Sequence, residues 1–189
     1  MSQHLIQHYI NRYDWISWPD QDEIFEGPRR DKSYHEYIFD VFYSLYDWIQ
    51  FNNYNYWFMK GDDIKNPSPI TRIRHYCLFP ECAPRIRSWR ARVTNIRIFN
   101  HNPLPGKQYP EFFNLRHYPA RTEEQIYKRI FTDRSNLQRG STNFHYNNMK
   151  KNIFQIRLTP DQFHYDDGTS ELNSTPSFNW QLLYGTGPL

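Results

Sequence analysis

The sequence predicts an α+β fold: one main amphipathic helix and a second short helix against a small antiparallel sheet, with long irregular arms rich in proline and aromatic residues. Three observations predict it. Capped, helix-periodic apolar patterns cover residues 33–51 and 122–134. Short ring-rich or alternating runs, separated by Pro, Gly and Asp, recur between and after them. The apolar mass is carried by rings, with 15 Tyr, 14 Phe and 6 Trp in 189 residues, against three Ala (Ala83, Ala91, Ala120) and two Val (Val41, Val93). Tyr and Trp have polar tips that need partners when buried, and both are favoured where an apolar body meets a hydrogen-bonding edge.

Residues 1–32 read as an extended aromatic and acidic arm, with Trp15, Trp18, Pro19, Phe25 and Pro28 spread without a period. Residues 33–189 read as a single small α+β domain. Its main helix starts at Ser33, which forms a capping box with Glu36. Tyr34, Ile38, Val41, Phe42, Leu45 and Ile49 then supply the i, i+3, i+4, i+7 stripe of a buried face. Residues 54–60 read as a short strand, and 61–70 as a loop broken by Pro67 and Pro69. Residues 71–78 and 85–99 are expected strands. The apolar face switches near Thr94-Asn95 in the second of these, which predicts a bulge there.

A proline-punctuated connection is expected over 100–121, where Pro103, Pro105, Pro110 and Pro119 exclude a long helix. The second helix is capped by Thr122 and Gln125, with Ile126, Tyr127, Ile130 and Phe131 on one face. Residues 153–158 read as a strand. Asp166-Asp167-Gly168 reads as the turn of a hairpin joining 162–165 to 169–172, and 178–184 as a last strand.

Charge is unevenly spread. Residues 1–65 carry six basic and eleven acidic side chains, residues 66–121 ten basic and two acidic, and residues 122–189 seven of each. Seven arginines fall within 71–100 against one acid, Glu81. Arg72, Arg74, Arg85, Arg87, Arg90, Arg92 and Arg97, with Trp89 among them, are the candidate interface or anion-binding residues. Arg is the side chain suited to bidentate phosphate or carboxylate contacts and to stacking. A strand with Arg on both faces reads as an edge or surface strand. It is expected to meet protein carboxylates, RNA or DNA, or anionic lipid headgroups, or to pair internally with the acidic first third.

Cys77 and Cys82, with His75, form H-x-C-x4-C, and His101 lies downstream. These, with His117 further on, are the metal candidates; Asp62-Asp63 reads as a solvated turn. The spacing matches no complete zinc motif, so free thiols, a zinc site and a local disulfide all stay open. No cofactor motif is complete, because neither Gly185-Thr186-Gly187 nor Gly140-Ser141-Thr142 leads into a helix with a following Lys. No nucleophile, base and orienting group can be assembled from spacing. No run of 18 apolar residues predicts a membrane span, and 1–15 lacks the pattern of a secretory signal. An intracellular or organellar interior, the mitochondrion included, is the expected location.

One short similarity exists. Arg129-Ile130-Phe131 through Gln138-Arg139-Gly140 resembles, over about a dozen positions, a signature of small accessory subunits of respiratory complex I. Thr132-Asp133 stands where that signature has Pro-Ala, and its tryptophan-rich continuation is missing. No residue role is carried over and no family is assigned. The expected function is a non-catalytic structural or accessory subunit of a larger assembly, with other protein subunits as partners. The alternative is an RNA- or DNA-binding component of a ribonucleoprotein.

Overall fold

The structure is a computed structural model that describes residues 12–79, 85–91, 93, 105–133, 149 and 158–184. It is a mixed α/β protein with an open seven-stranded sheet and four helices among the described residues. The elements in chain order are β1 (Trp15–Ser17), β2 (Glu23–Glu26), α1 (Tyr34–Tyr43), β3 (Trp48–Trp57), α2 (Pro69–Arg72), β4 (His75–Leu78) and β5 (Arg85–Arg90). They are followed by β6 (Phe113–Ala120), α3 (Glu123–Tyr127) with a π-helical turn over Lys128–Asp133, a 3-10 turn at Pro160–Gln162, β7 (His164–Tyr165) and α4 (Gln181–Tyr184). The strands run in the order β1-β5-β3-β4-β7, with β6 joined to β3 and β2 joined to β6. The β1–β5, β2–β6, β3–β4, β3–β5 and β4–β7 pairings are antiparallel.

The chain divides into two compact units, one of residues 1–53 and 83–117, the other of 54–82 and 118–189. In the first, α1 begins as its sequence dictates. The Ser33 side chain accepts from the Glu36 N–H, and the Glu36 carboxylate accepts from the Ser33 N–H at 2.8 Å. Tyr37 and Val41 are buried with Ile49, Phe51, Phe113 and Leu115. A Cβ at Gly27 would collide with the Tyr37 ring, so glycine lets the chain after β2 pass under the helix.

The helix stops at Tyr43 and does not reach 51. Leu45 turns into the left-handed region at φ 63° and is 69% exposed, outside the stripe that its spacing suggested. Beyond it, Trp48 and Ile49 pair with Trp89 and Ser88 of β5. A run such as Trp-Ile-Gln-Phe satisfies either period, and strand pairing across the sheet decides.

Residues 15–17 and 23–26, in the expected arm, are strands. β1 pairs with β5 and β2 with β6. β5 is therefore not an edge strand. It lies between β1 and β3, with Ile86 through Arg90 buried. Its register shifts opposite Ile49-Gln50, which pair with Ser88 and Ile86 and leave Arg87 as the extra residue. This bulge puts Ile86 and Trp89 in one apolar cluster with Ile16, Trp48, Ala91 and Val93. The bulge expected near Thr94-Asn95 lies outside the described residues.

In the second unit, Trp57, Cys77, Ile126, Ile130, Phe163 and Trp180 belong to one buried cluster. Thr122 caps α3 by accepting from the Gln125 N–H, and Ile126 and Ile130 turn inward as their spacing predicts. Across the chain four further expectations differ. Residues 71–78, expected as one strand, open in the helical turn α2 (Pro69–Arg72), and only His75–Leu78 form β4. Residues 113–120, read as a loop, form β6, whose Pro119 falls near its end where a missing N–H costs least. Residues 169–172 are not a strand. β7 pairs with β4 instead, although the turn itself forms, with Gly168 at φ 87°. Residues 181–184 are a helical turn and not a strand. The expected strand at 153–158 is described only at Leu158.

Candidate functional site

β5 carries the arginines, and the first unit builds an internal ion-pair network around them. Glu23, the first residue of β2, has no exposed side-chain surface. Its Oε1 accepts from Arg85 Nη1 at 2.5 Å and Arg87 Nη2 at 3.2 Å, and its Oε2 accepts from the Asp20 N–H at 3.0 Å. Arg87 Nη2 also donates to Asp20 Oδ2 at 2.7 Å. Between β2 and β5 the hydrogen-bonded order passes through β6 and β3. The Glu23 pairs therefore bridge strands that are not hydrogen-bonded neighbours. Burial raises the Glu23 pKa, and the opposing pull of Arg87 and Arg85 does not cancel it. On the next strand Arg116 Nη2 lies 2.6 Å from Glu26, and His117 Nε2 lies 3.7 Å from Asp22.

Arg90 is committed differently. Its guanidinium donates to the carbonyls of Tyr46 and Phe42 and sits 4.5 Å from the centre of the Phe42 ring, with Asp47 at 3.9 Å. The last carbonyls of a helix are incompletely satisfied by its own N–H groups, and a cation is favoured there. Arg90 thus ties the end of the helix to the middle of the sheet. Arg87 and Arg90 are each 7% exposed and Trp89 1%.

The remaining candidates scatter. Arg72 donates to the carbonyls of Asn66 and Arg121 at 3.0 and 2.9 Å, so it ties loops together. Arg74 is half-buried, with its Nη1 against Gly168. Arg92 and Arg97 lie outside the described residues. Of the eight residues singled out, the structure gathers Arg85, Arg87, Trp89 and Arg90 on one buried strand, where ion pairs, carbonyls and packing hold them.

Cys77 is a free, buried thiol, and its Sγ accepts from the N–H groups of Ser177 and Phe178 at 3.3 and 3.2 Å. His75, two residues away on β4, packs edge-on to Tyr165, and burial lowers its pKa. Cys82 and His101 lie outside the described residues. Among the described residues no three His, Cys, Asp or Glu side chains come together as a metal site.

Two features carried little or no sequence signal. The hydroxyls of Ser17, Tyr34 and Ser88 meet within 2.9 Å of one another, and the Trp15 Nε1–H donates to Ser88. Burial pushes the Tyr34 phenol up to about 12, so at neutral pH the cluster holds only neutral hydroxyls. It links β1, β5 and α1. No periodicity could announce it, because its members are 17 and 54 residues or more apart. The second is the outer face of α1. Phe39 and Tyr43 are 62% and 66% exposed, with ring centres 4.6 Å apart, and Leu45 follows them. Their i, i+4 spacing was legible, but the apolar positions on the other face had already accounted for the helix.

No protein-family model, curated protein or solved structure matches the chain. Among the described residues no helix is long and apolar enough to cross a membrane.

Proposed function

We propose that the protein is a non-catalytic structural or accessory subunit that meets neighbouring protein subunits through the outer face of its main amphipathic helix. The observation that carries this reading is the row Phe39, Tyr43 and Leu45. Two exposed rings paired on a helix, with an exposed Leu just past its end, mark an interaction surface more often than isolated exposed residues do. Aromatic side chains bury large area for little lost entropy, which suits the centre of an interface. The commitment of Arg85, Arg87 and Arg90 within the first unit supports a protein partner over RNA, since phosphate contacts need free cationic heads.

The test is affinity purification of the tagged full-length protein and of its Phe39→Ser/Tyr43→Ser variant from the same cells, compared by quantitative mass spectrometry. Both rings are exposed, so the variant should keep the wild-type melting temperature. At least one protein recovered with the wild type should fall by about tenfold, the equivalent of 1.4 kcal/mol. Identical sets of proteins from the two, or none from either, would defeat the reading.

A further inference from the structure

In the second unit the chain near its C-terminal end sits on β4 in an unusual way. Over 169–180 the described contacts to the rest of the unit are not a backbone ladder. Asn173 N–H donates to the Tyr76 hydroxyl at 2.7 Å. The Thr175 carbonyl meets His164 Nε2 at 2.7 Å. Ser177 and Phe178 N–H groups donate to Cys77 Sγ, and the Trp180 Nε1–H donates to the Leu78 carbonyl at 3.0 Å. The backbone of 173–178 is thus read by side chains of the body, as a docked peptide is read, and the Trp180 indole in turn reads the body's backbone.

The apolar contacts have the same character. Phe178, Trp180 and Leu183 are buried, while Asn179, Gln181 and Leu182 between them are exposed. Phe178 stacks on Phe163 with centroids 5.1 Å apart. Trp180 meets Phe79 edge-on at 5.4 Å and Trp57 at 6.0 Å. Three spaced anchors on a short, mostly exposed segment are the pattern of a linear motif in a groove. The chain leading to it, 167–172, is exposed except for the half-buried Leu172, and it turns at Gly168 with φ 87°. A segment joined by such a linker keeps its site when supplied from another molecule, because the contacts given above lie at Asn173 and beyond.

We infer that residues 173–183 are a peptide ligand of the second unit seated in cis, and that the same site accepts this segment from a second copy of the chain. This is independent of the helix-face reading above.

Deletion of 168–170 from the full-length chain shortens the linker while sparing every anchor. Light scattering should then give a dimer with native-like tryptophan emission. Adding Trp180→Ala should return it to monomer. A folded monomer with Trp180 still buried, or a dimer that survives Trp180→Ala, overturns the inference. Should the shortened chain fail to fold, a second measurement decides. A specific protease site placed between Ser170 and Glu171 of the full-length chain is cut, and a fluorescent peptide of residues 171–184 is added in excess. The cut fragment should stay bound and then exchange with the peptide, and a Trp180→Ala peptide should compete at least tenfold less well. Loss of the fragment without rebinding, or a fragment that never exchanges, overturns the inference.

Discussion

Glu23 shows what it costs to build with charge in an interior. Its carboxylate is removed from water and held by two guanidinium groups, yet its pKa lies above the ordinary 4.5 because desolvation outweighs both. The folded chain therefore binds this proton more firmly than the unfolded chain. The group's contribution to stability is complete below the ordinary carboxyl range and is lost as pH rises through the raised pKa. Glu23→Gln should flatten that part of the curve of unfolding free energy against pH, measured by urea titration. Arg85→Ala removes one of the two compensating cations. It should cost about 3 kcal/mol, typical of breaking a buried pair, and move the Glu23 titration, followed by carboxyl NMR, further upward. Leu45 is a separate case. An L-residue with a branched Cγ at φ 63° is strained, and its side chain is mostly in solvent. Leu45→Gly should raise the unfolding free energy by about 1 kcal/mol in the same titration.

At the scale of elements, α1 is the best-read part of the sequence at one end and the worst at the other. Ser33 and Glu36 fixed its start through contacts three residues apart. Its end depended on Trp48 and Ile49 finding β5 some 40 positions later, and on Arg90 reaching back to Phe42 and Tyr46. No local pattern holds that information. Arg90→Ala should cost about 2 kcal/mol, as expected for charged hydrogen bonds to half-buried carbonyls. It should also speed hydrogen exchange of the amides in the last turn of α1. Arg90→Lys should recover little, since one ammonium cannot span two carbonyls and lie flat on a ring. Full rescue by lysine would mean that charge alone fastens the helix.

Over the whole molecule, the charge tally was the most informative thing legible in the sequence. The acidic first third and the basic middle do meet, at Asp20, Glu23 and Glu26 against Arg85, Arg87 and Arg116. The tally could not say that they meet inside the fold, because strand order is set by long-range pairing. That is why β5 read as a surface strand. Neutralisation of this kind leaves little free positive potential at the strand. Fluorescence anisotropy with a labelled single-stranded RNA at physiological salt should therefore give no Kd tighter than about 1 μM, the usual limit of non-specific binding. Nanomolar affinity falling steeply with salt would restore the nucleic-acid reading.

Cys77 has a use of its own. Its sulfur is buried and covered by the amides of Ser177 and Phe178, so an aromatic disulfide reagent reaches it only while that stretch is lifted. Under conditions where reclosing is faster than reaction, the labelling rate is the free-thiol rate multiplied by the fraction of time spent open. In a Cys82→Ser chain, where it is the one thiol left, the cysteine is thus a built-in stopwatch for one motion of the chain, read by absorbance.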